Sequence, residues 1–156
     1  MKTKTILFIT GLILMISPVF AQSFADYLEV AREVLKTEKK AVVAEAMELT
    51  DAERAPFWAL YNEYQAELYK VHTERVNIIK NFAENYESLT DEKADALWNS
   101  TMAYQTQLLK LNKTYYKKFK KILPAGKAAM YFQVENKIGA MINAQLAQEI
   151  PLIETN

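Results

Sequence analysis

Histidine and cysteine, which often act as the base and the nucleophile of an enzyme, are scarce in this sequence. Its 156 residues include one histidine, His72, and no cysteine. A Ser–His–Asp triad or a Cys–His pair needs a base beside an activated nucleophile, which a single histidine without a thiol does not readily provide. Adjacent acids such as Asp91 and Glu92 fit better as favourable charges at the start of a helix. The sequence predicts a protein that is not an enzyme.

The sequence also contains few residues that could bind a metal ion. Transition-metal sensors gather several His or Cys ligands, whereas here only Glu67 or Glu74 could join His72 in a weak surface site. We predict no metal and no cofactor, although weak binding near His72 stays open. The methionines beyond the N-terminal stretch lack MxxM spacing and are expected to pack: Met47, Met102, Met130 and Met141.

Aromatic side chains and lysines are the richer signals. The aromatics have two interpretations, either core packing or an adaptable surface for unfolded or membrane-protein clients. Five are candidates for a client or dimer surface: Trp58, Tyr69, Trp98, Tyr116 and Phe132. The lysine-rich segment 110–121 is either a patch for anions or acidic clients, or a solvated face near a helix C-terminus. In the second interpretation Lys110 and Lys113 lie near Glu63 and Glu67.

The first 21 residues have the pattern of a secretory signal peptide. Two lysines precede an apolar run of 11 residues, Ile6–Ile16, which is too short to span a bilayer of ~30 Å as a helix. We predict cleavage after Ala21 and a periplasmic location, the alternative being a retained anchor. Gln22 stands where a lipoprotein would need Cys.

Composition restricts the remaining 22–156, which we expect to form a single domain. Without the two N-terminal lysines the chain has 17 basic and 19 acidic residues, so nucleic acid is not an expected partner. The absence of cysteine excludes a disulfide framework. Few glycines and prolines, no alternating strand pattern and abundant helix-forming residues predict an all-α fold.

A repeat sets the architecture. "LTDAERAPFWALYNEYQAEL" starts at Leu49, and "LTDEKADALWNSTMAYQTQL" starts forty residues later at Leu89. Threonine followed by acids is typical of a helix start, so Thr50 and Thr90 are predicted helix caps, and Glu53 completes a capping box with Thr50.

Behind each cap, apolar residues recur at alternating spacings of four and three, the seam of a coiled-coil pair. We predict two long helices, 51–86 and 91–122, that fold back as an antiparallel hairpin. Residues whose numbers add up to about 176 should then face each other: Phe57 with Phe119, Tyr61 with Tyr115, Leu68 with Leu108, Phe82 with Ala94 and Arg75 with Thr101. Further helices are expected at 24–48 and 124–150, which makes four helices in one elongated domain.

The paired LT starts, in an exported, cysteine-free, helical chain of this size, resemble the Spy/CpxP group of periplasmic proteins with its repeated LTxxQ motif. Here the motif reads "LTDAE" and "LTDEK", and the wider likeness runs from about Arg32 to Leu152. The resemblance implies a helical, often dimeric cradle that chaperones without ATP, tunes stress-sensing kinases or senses metal.

Three functional hypotheses result. The first is an ATP-independent chaperone or envelope-stress accessory whose partners are unfolded or envelope proteins, or a membrane sensor protein. The second is a metal-responsive sensor domain, and the third is a structural coiled coil without a client. We also expect a homodimer joined through the helix faces that carry Trp58, Trp98 or Phe132, because the hairpin exposes more apolar surface than one seam covers.

Overall fold

The helices begin and end close to the positions that the sequence predicts. A computed structural model describes residues 38–153, and in this range the chain forms four α-helices and no strand. We label them α1 (38–47, as far as described), α2 (Asp51–Asn85), α3 (Asp91–Phe119) and α4 (Ala125–Glu149). The all-α fold with an antiparallel hairpin of α2 and α3 is confirmed. The predicted signal peptide, 1–21, and the first part of the predicted helix 24–48 lie outside the described residues.

Local chemistry explains the helix ends. Thr50 caps α2, and the Glu53 carboxylate accepts hydrogen bonds from the backbone N–H and the hydroxyl of Thr50, at 2.9 and 3.0 Å. The Thr90 hydroxyl caps α3 by accepting from the Lys93 N–H at 3.3 Å. Helix α3 ends at Phe119, three residues earlier than predicted, because its last turn tightens to i→i+3 hydrogen bonds, from the Lys121 N–H to the Lys118 carbonyl and from the Ile122 N–H to the Phe119 carbonyl.

The hairpin has the predicted register. The rings of Phe57 and Phe119 lie 5.5 Å apart, the Tyr64 hydroxyl donates to Asn112 Oδ1 at 2.7 Å, and His72 Nδ1 lies 3.1 Å from the Tyr104 hydroxyl. In each pair the residue numbers add up to 176. At 35 residues, α2 extends roughly 52 Å.

Two predicted pairings within that register are replaced by others. The Tyr115 ring packs on Tyr64 at 5.0 Å, while Tyr61 turns toward Tyr131 at 6.1 Å. Arg75 reaches α4 instead of Thr101 and donates to Asn143 Oδ1 at 2.6 Å. The prediction treated the hairpin alone, and α4 is the element that draws Tyr61 and Arg75 away.

The predicted lysine partners also differ. Lys118, not Lys110 or Lys113, lies 2.6 Å from Glu63, and Lys70 on the same helix lies 2.6 Å from Glu67. Glu67 finds its partner locally because residues three apart are neighbours on a helix surface.

Helix α4 runs parallel to α2, and α1 runs antiparallel to α2. The main core lies where all four helices meet and is dominated by rings: Phe57, Tyr61, Tyr64, Tyr115, Phe119 and Tyr131. Such ring pairs contribute about 0.5–1.5 kcal/mol each beyond their buried area. A smaller cluster of Val76, Ile79 and Leu146 joins α2 to α4 further along.

Polar contacts fasten α1 to this core. The Lys39 ammonium lies 2.6 Å from Glu135, whose side chain is 7% exposed. Gln65 links the pair by accepting from Lys39 at 3.0 Å and donating to Glu135 at 3.0 Å and to the Tyr131 hydroxyl at 3.1 Å. Among the described residues no buried side-chain polar atom lacks a hydrogen-bond partner, so this network is fully satisfied.

The turn from α1 to α2 is held from α4. Glu48 has a φ of 42°, in the left-handed region that costs a non-glycine residue free energy. Lys127 donates to the Glu48 carbonyl at 3.2 Å and to the Glu53 carboxylate at 2.6 Å. One lysine thereby joins the turn, the cap of α2 and the start of α4.

Candidate functional site

An open groove lies between α2 and α3. It lies in the half of the hairpin nearer the Ser88 turn, beyond the aromatic core, and its volume is about 430 Å³. Ten residues line it: Glu74, Asn77, Ile78, Asn81, Ala96, Leu97, Ser100, Ala103, Tyr104 and Gln107. We call this feature the hairpin groove.

Helix periodicity explains its shape. Ala96, Ser100 and Ala103 follow one another at spacings of four and three, so they share one flank of α3. Their small side chains leave a recess beside the seam. Ile78 and Leu97 are half-buried and supply the apolar floor of that recess.

Amide side chains form the rim of the hairpin groove. Asn77 and Asn81 lie one turn apart on α2, and Gln107 lies on α3, nearer to the aromatic core; all three are exposed. Within residues 38–153 their side-chain amides make no hydrogen bond. Each amide offers both donors and an acceptor, so the rim can pair with a ligand that presents N–H and C=O groups alternately.

Tyr104 lines the α3 side of the groove, one turn before Gln107. It is buried, and burial raises the pKa of its hydroxyl, while the nearby Arg75 acts in the opposite direction. The hydroxyl lies 3.1 Å from His72 Nδ1, so one nitrogen of the single histidine is already engaged. Among the described residues no three His, Cys, Asp or Glu side chains come together as a metal site.

The five predicted surface aromatics are divided between core and solvent. Trp58, Tyr116 and Phe132 are half-buried and pack against the main core; Phe132, for example, lies 5.8 Å from Tyr116 and 5.9 Å from Phe119. Tyr69 and Trp98 are 47% and 62% exposed. Of the five, therefore, Trp98 is the most open surface, and it follows Leu97 of the groove on α3.

The lysines of segment 110–121, at the end of α3 and just beyond it, remain largely in solvent. Lys118 contacts Glu63 and lies 4.4 Å above the Tyr115 ring, and Lys120 lies 5.1 Å from the Tyr116 ring. The remaining four are exposed: Lys110, Lys113, Lys117 and Lys121.

Comparison with known proteins gives no family assignment, because no family model, no curated protein and no solved structure matches the chain. In residues 38–153 no helix is both long enough and apolar enough to cross a membrane.

Proposed function

We propose that the protein binds extended segments of unfolded polypeptides in the hairpin groove, and that it acts in the periplasm as an ATP-independent chaperone or envelope-stress accessory. The observation that carries this proposal is the row of unpaired amides above an apolar floor. The predicted signal peptide and the resemblance of the LT repeat to the Spy/CpxP group support the location and the class.

The groove chemistry suits an extended chain of variable sequence. A peptide backbone presents one N–H and one C=O per residue, which Asn77, Asn81 and Gln107 can bind without reading the side chains. The floor of Ile78 and Leu97 accepts an apolar side chain and adds binding free energy of about 25 cal/mol per Å² of apolar surface removed from water. Because the groove would bind the peptide main chain and has few pockets for particular side chains, we expect it to accept many different clients but to bind each of them weakly.

Charge gives a preference between clients. Glu74 is the charged residue among those that line the groove. A segment with a Lys or Arg near its apolar residues should bind better than an acidic one, and the difference should shrink with added salt because the site is open to solvent.

The proposed binding site can be tested by filling the groove with a larger side chain. Ala103→Phe places a ring in the recess, and Ala129→Phe, at an exposed position on α4, is the matched control. The wild-type protein at stoichiometric amounts should slow the aggregation of several unfolded clients and bind a fluorescent apolar–basic peptide. Ala103→Phe should weaken peptide binding at least fivefold, while Ala129→Phe leaves it unchanged.

Equal peptide affinity in all three proteins would overturn the groove as the binding site. Unchanged aggregation of every client with the wild-type protein would favour a structural coiled coil without a client.

A further inference from the structure

The outer face of α3 and its C-cap, Lys120, carry a second row of residues beside the buried seam, in which Met102 and Tyr116 are half-buried and Tyr116 also packs against the main core. We call it the α3 ribbon: Asp91, Asp95, Trp98, Met102, Leu109, Lys113, Tyr116 and Lys120. At 100° per residue these positions cluster on one side of the helix. Trp98 and Leu109 are 62% and 54% exposed, so the apolar middle of the ribbon faces solvent in the single chain.

The spacing of the ribbon is the same in both directions. From Asp91 to Lys120 the intervals are 4, 3, 4, 7, 4, 3 and 4 residues. Intervals of four and three are those of a helix-pairing seam. A palindromic seam can face a second copy of itself in antiparallel orientation with every position matched.

The chemistry of the ribbon reverses from one end to the other, as self-pairing requires. Acids occupy its N-terminal end, apolar residues its middle and lysines its C-terminal end. Antiparallel pairing about a two-fold axis between Gln105 and Thr106 matches each residue with a complementary one: Asp91 with Lys120, Asp95 with Tyr116, Trp98 with Lys113, and Met102 with Leu109.

Every one of these matches is favourable. Asp91 with Lys120 is an ion pair, and the Asp95 carboxylate can accept from the Tyr116 hydroxyl. Lys113 over Trp98 is a cation–π contact with the best ring for it, and Met102 against Leu109 buries apolar surface. Within residues 38–153 the four charged residues of the ribbon form no ion pair.

We propose that two copies of this chain pair through the α3 ribbon, with their α3 helices antiparallel across a two-fold axis. The self-complementary charge order points to a second copy as the occupant, since an isologous interface must match a surface to itself. The contact spans roughly 44 Å of helix. At 100° per residue, the α3 side of the hairpin groove is centred nearly half a turn around the helix from the ribbon, so the inference does not depend on the proposed function.

Charge reversal tests the pairing. In Asp91→Lys/Asp95→Lys the ribbon becomes entirely basic at its ends, and in Lys113→Glu/Lys120→Glu entirely acidic. Sedimentation of the purified wild-type protein at micromolar concentration should give twice the monomer mass. Each variant alone should dissociate at least tenfold more readily, and an equimolar mixture of the two should recover the dimer. Circular dichroism verifies that each variant is folded, and Leu109→Glu, at an exposed central position, should also give monomers.

Engineered thiols test the orientation, because the chain has no cysteine of its own. Thr106→Cys lies at the axis and should form an intermolecular disulfide on mild oxidation. Lys113→Cys should not, because its two copies would lie roughly 22 Å apart along the helices. A wild-type monomer at 100 µM, a dimer that survives both charge reversals, or cross-linking at both thiol positions would each overturn the proposed pairing.

Discussion

The Lys39–Glu135 pair predicts a strong and unequal response to mutation. Both side chains are largely removed from solvent, with 14% and 7% exposure, and Gln65 completes the network with one bond to each. Breaking a buried pair on one side leaves a charge without its partner and costs about 3–5 kcal/mol, whereas replacing both charges by apolar residues is often close to neutral.

The two partners should not be equivalent. In Lys39→Met the Glu135 carboxylate stays buried and keeps the Gln65 bond, so we expect a loss near the lower limit, about 3 kcal/mol. In Glu135→Leu the freed lysine has a long flexible stem that can carry its ammonium to water, so we expect a smaller loss of about 1–2 kcal/mol. The double variant Lys39→Met/Glu135→Leu should lose about 1 kcal/mol or less.

Urea unfolding followed by circular dichroism measures these free energies, provided the transition is two-state. Lys40→Met is the matched control, because Lys40 is exposed and lies 5.3 Å from the Trp58 ring, and it should cost less than about 1 kcal/mol. A double-variant loss equal to the sum of the two single losses would refute the coupling, and with it the conclusion that this pair fastens α1 to α2 and α4.

Three further predictions concern the caps and the single histidine. The hydrogen bond from Lys127, followed by that from the Thr50 backbone, lowers the pKa of Glu53 to about 2 from an ordinary 4.5. Because the pKa is lower in the folded state, Glu53 stabilises the fold above pH 4.5, and this stabilisation disappears as the pH falls toward 2. The free energy of unfolding measured across this pH range should therefore decline less steeply in Glu53→Gln than in the wild-type protein. Thr90→Ala removes the hydroxyl cap of α3 and should cost ~1 kcal/mol in urea unfolding; lost client binding with an unchanged melting temperature would mean that the threonine has another role. Calorimetry with zinc, copper and nickel should find no site tighter than ~10 µM, and a tighter site that disappears in His72→Ala would revive the metal-sensor hypothesis.

The hairpin could be predicted because the sequence features that specify it, a helix cap followed by an apolar seam, are local and occur twice. Thr50 and Thr90 each sit before acids and an apolar seam, and a short link between two such helices permits essentially one arrangement. The register follows from the seams, which explains why Phe57 and Phe119 meet as expected. The position of α4 does not follow, because its apolar residues cover a wide arc. For that reason the sequence could not show that Arg75 would reach Asn143.

The candidate site was missed for a related reason. In the sequence alone, nothing distinguishes Asn77, Asn81 and Gln107 from ordinary solvated residues. They come together around one recess only because α2 pairs with α3. The sequence did contain one signal for the groove: small residues at 96, 100 and 103 follow one flank of α3, and amide residues at helical spacing occur on the facing part of α2. The aromatics were the more conspicuous feature, but their number mainly reflects the ring-filled core. Trp98 is the exception: it is 62% exposed in the single chain, and in the dimer that we propose it would face Lys113 of a second copy. On this reasoning the two flanks of α3 have different tasks, one lining a groove for an extended chain and the other pairing with its own copy.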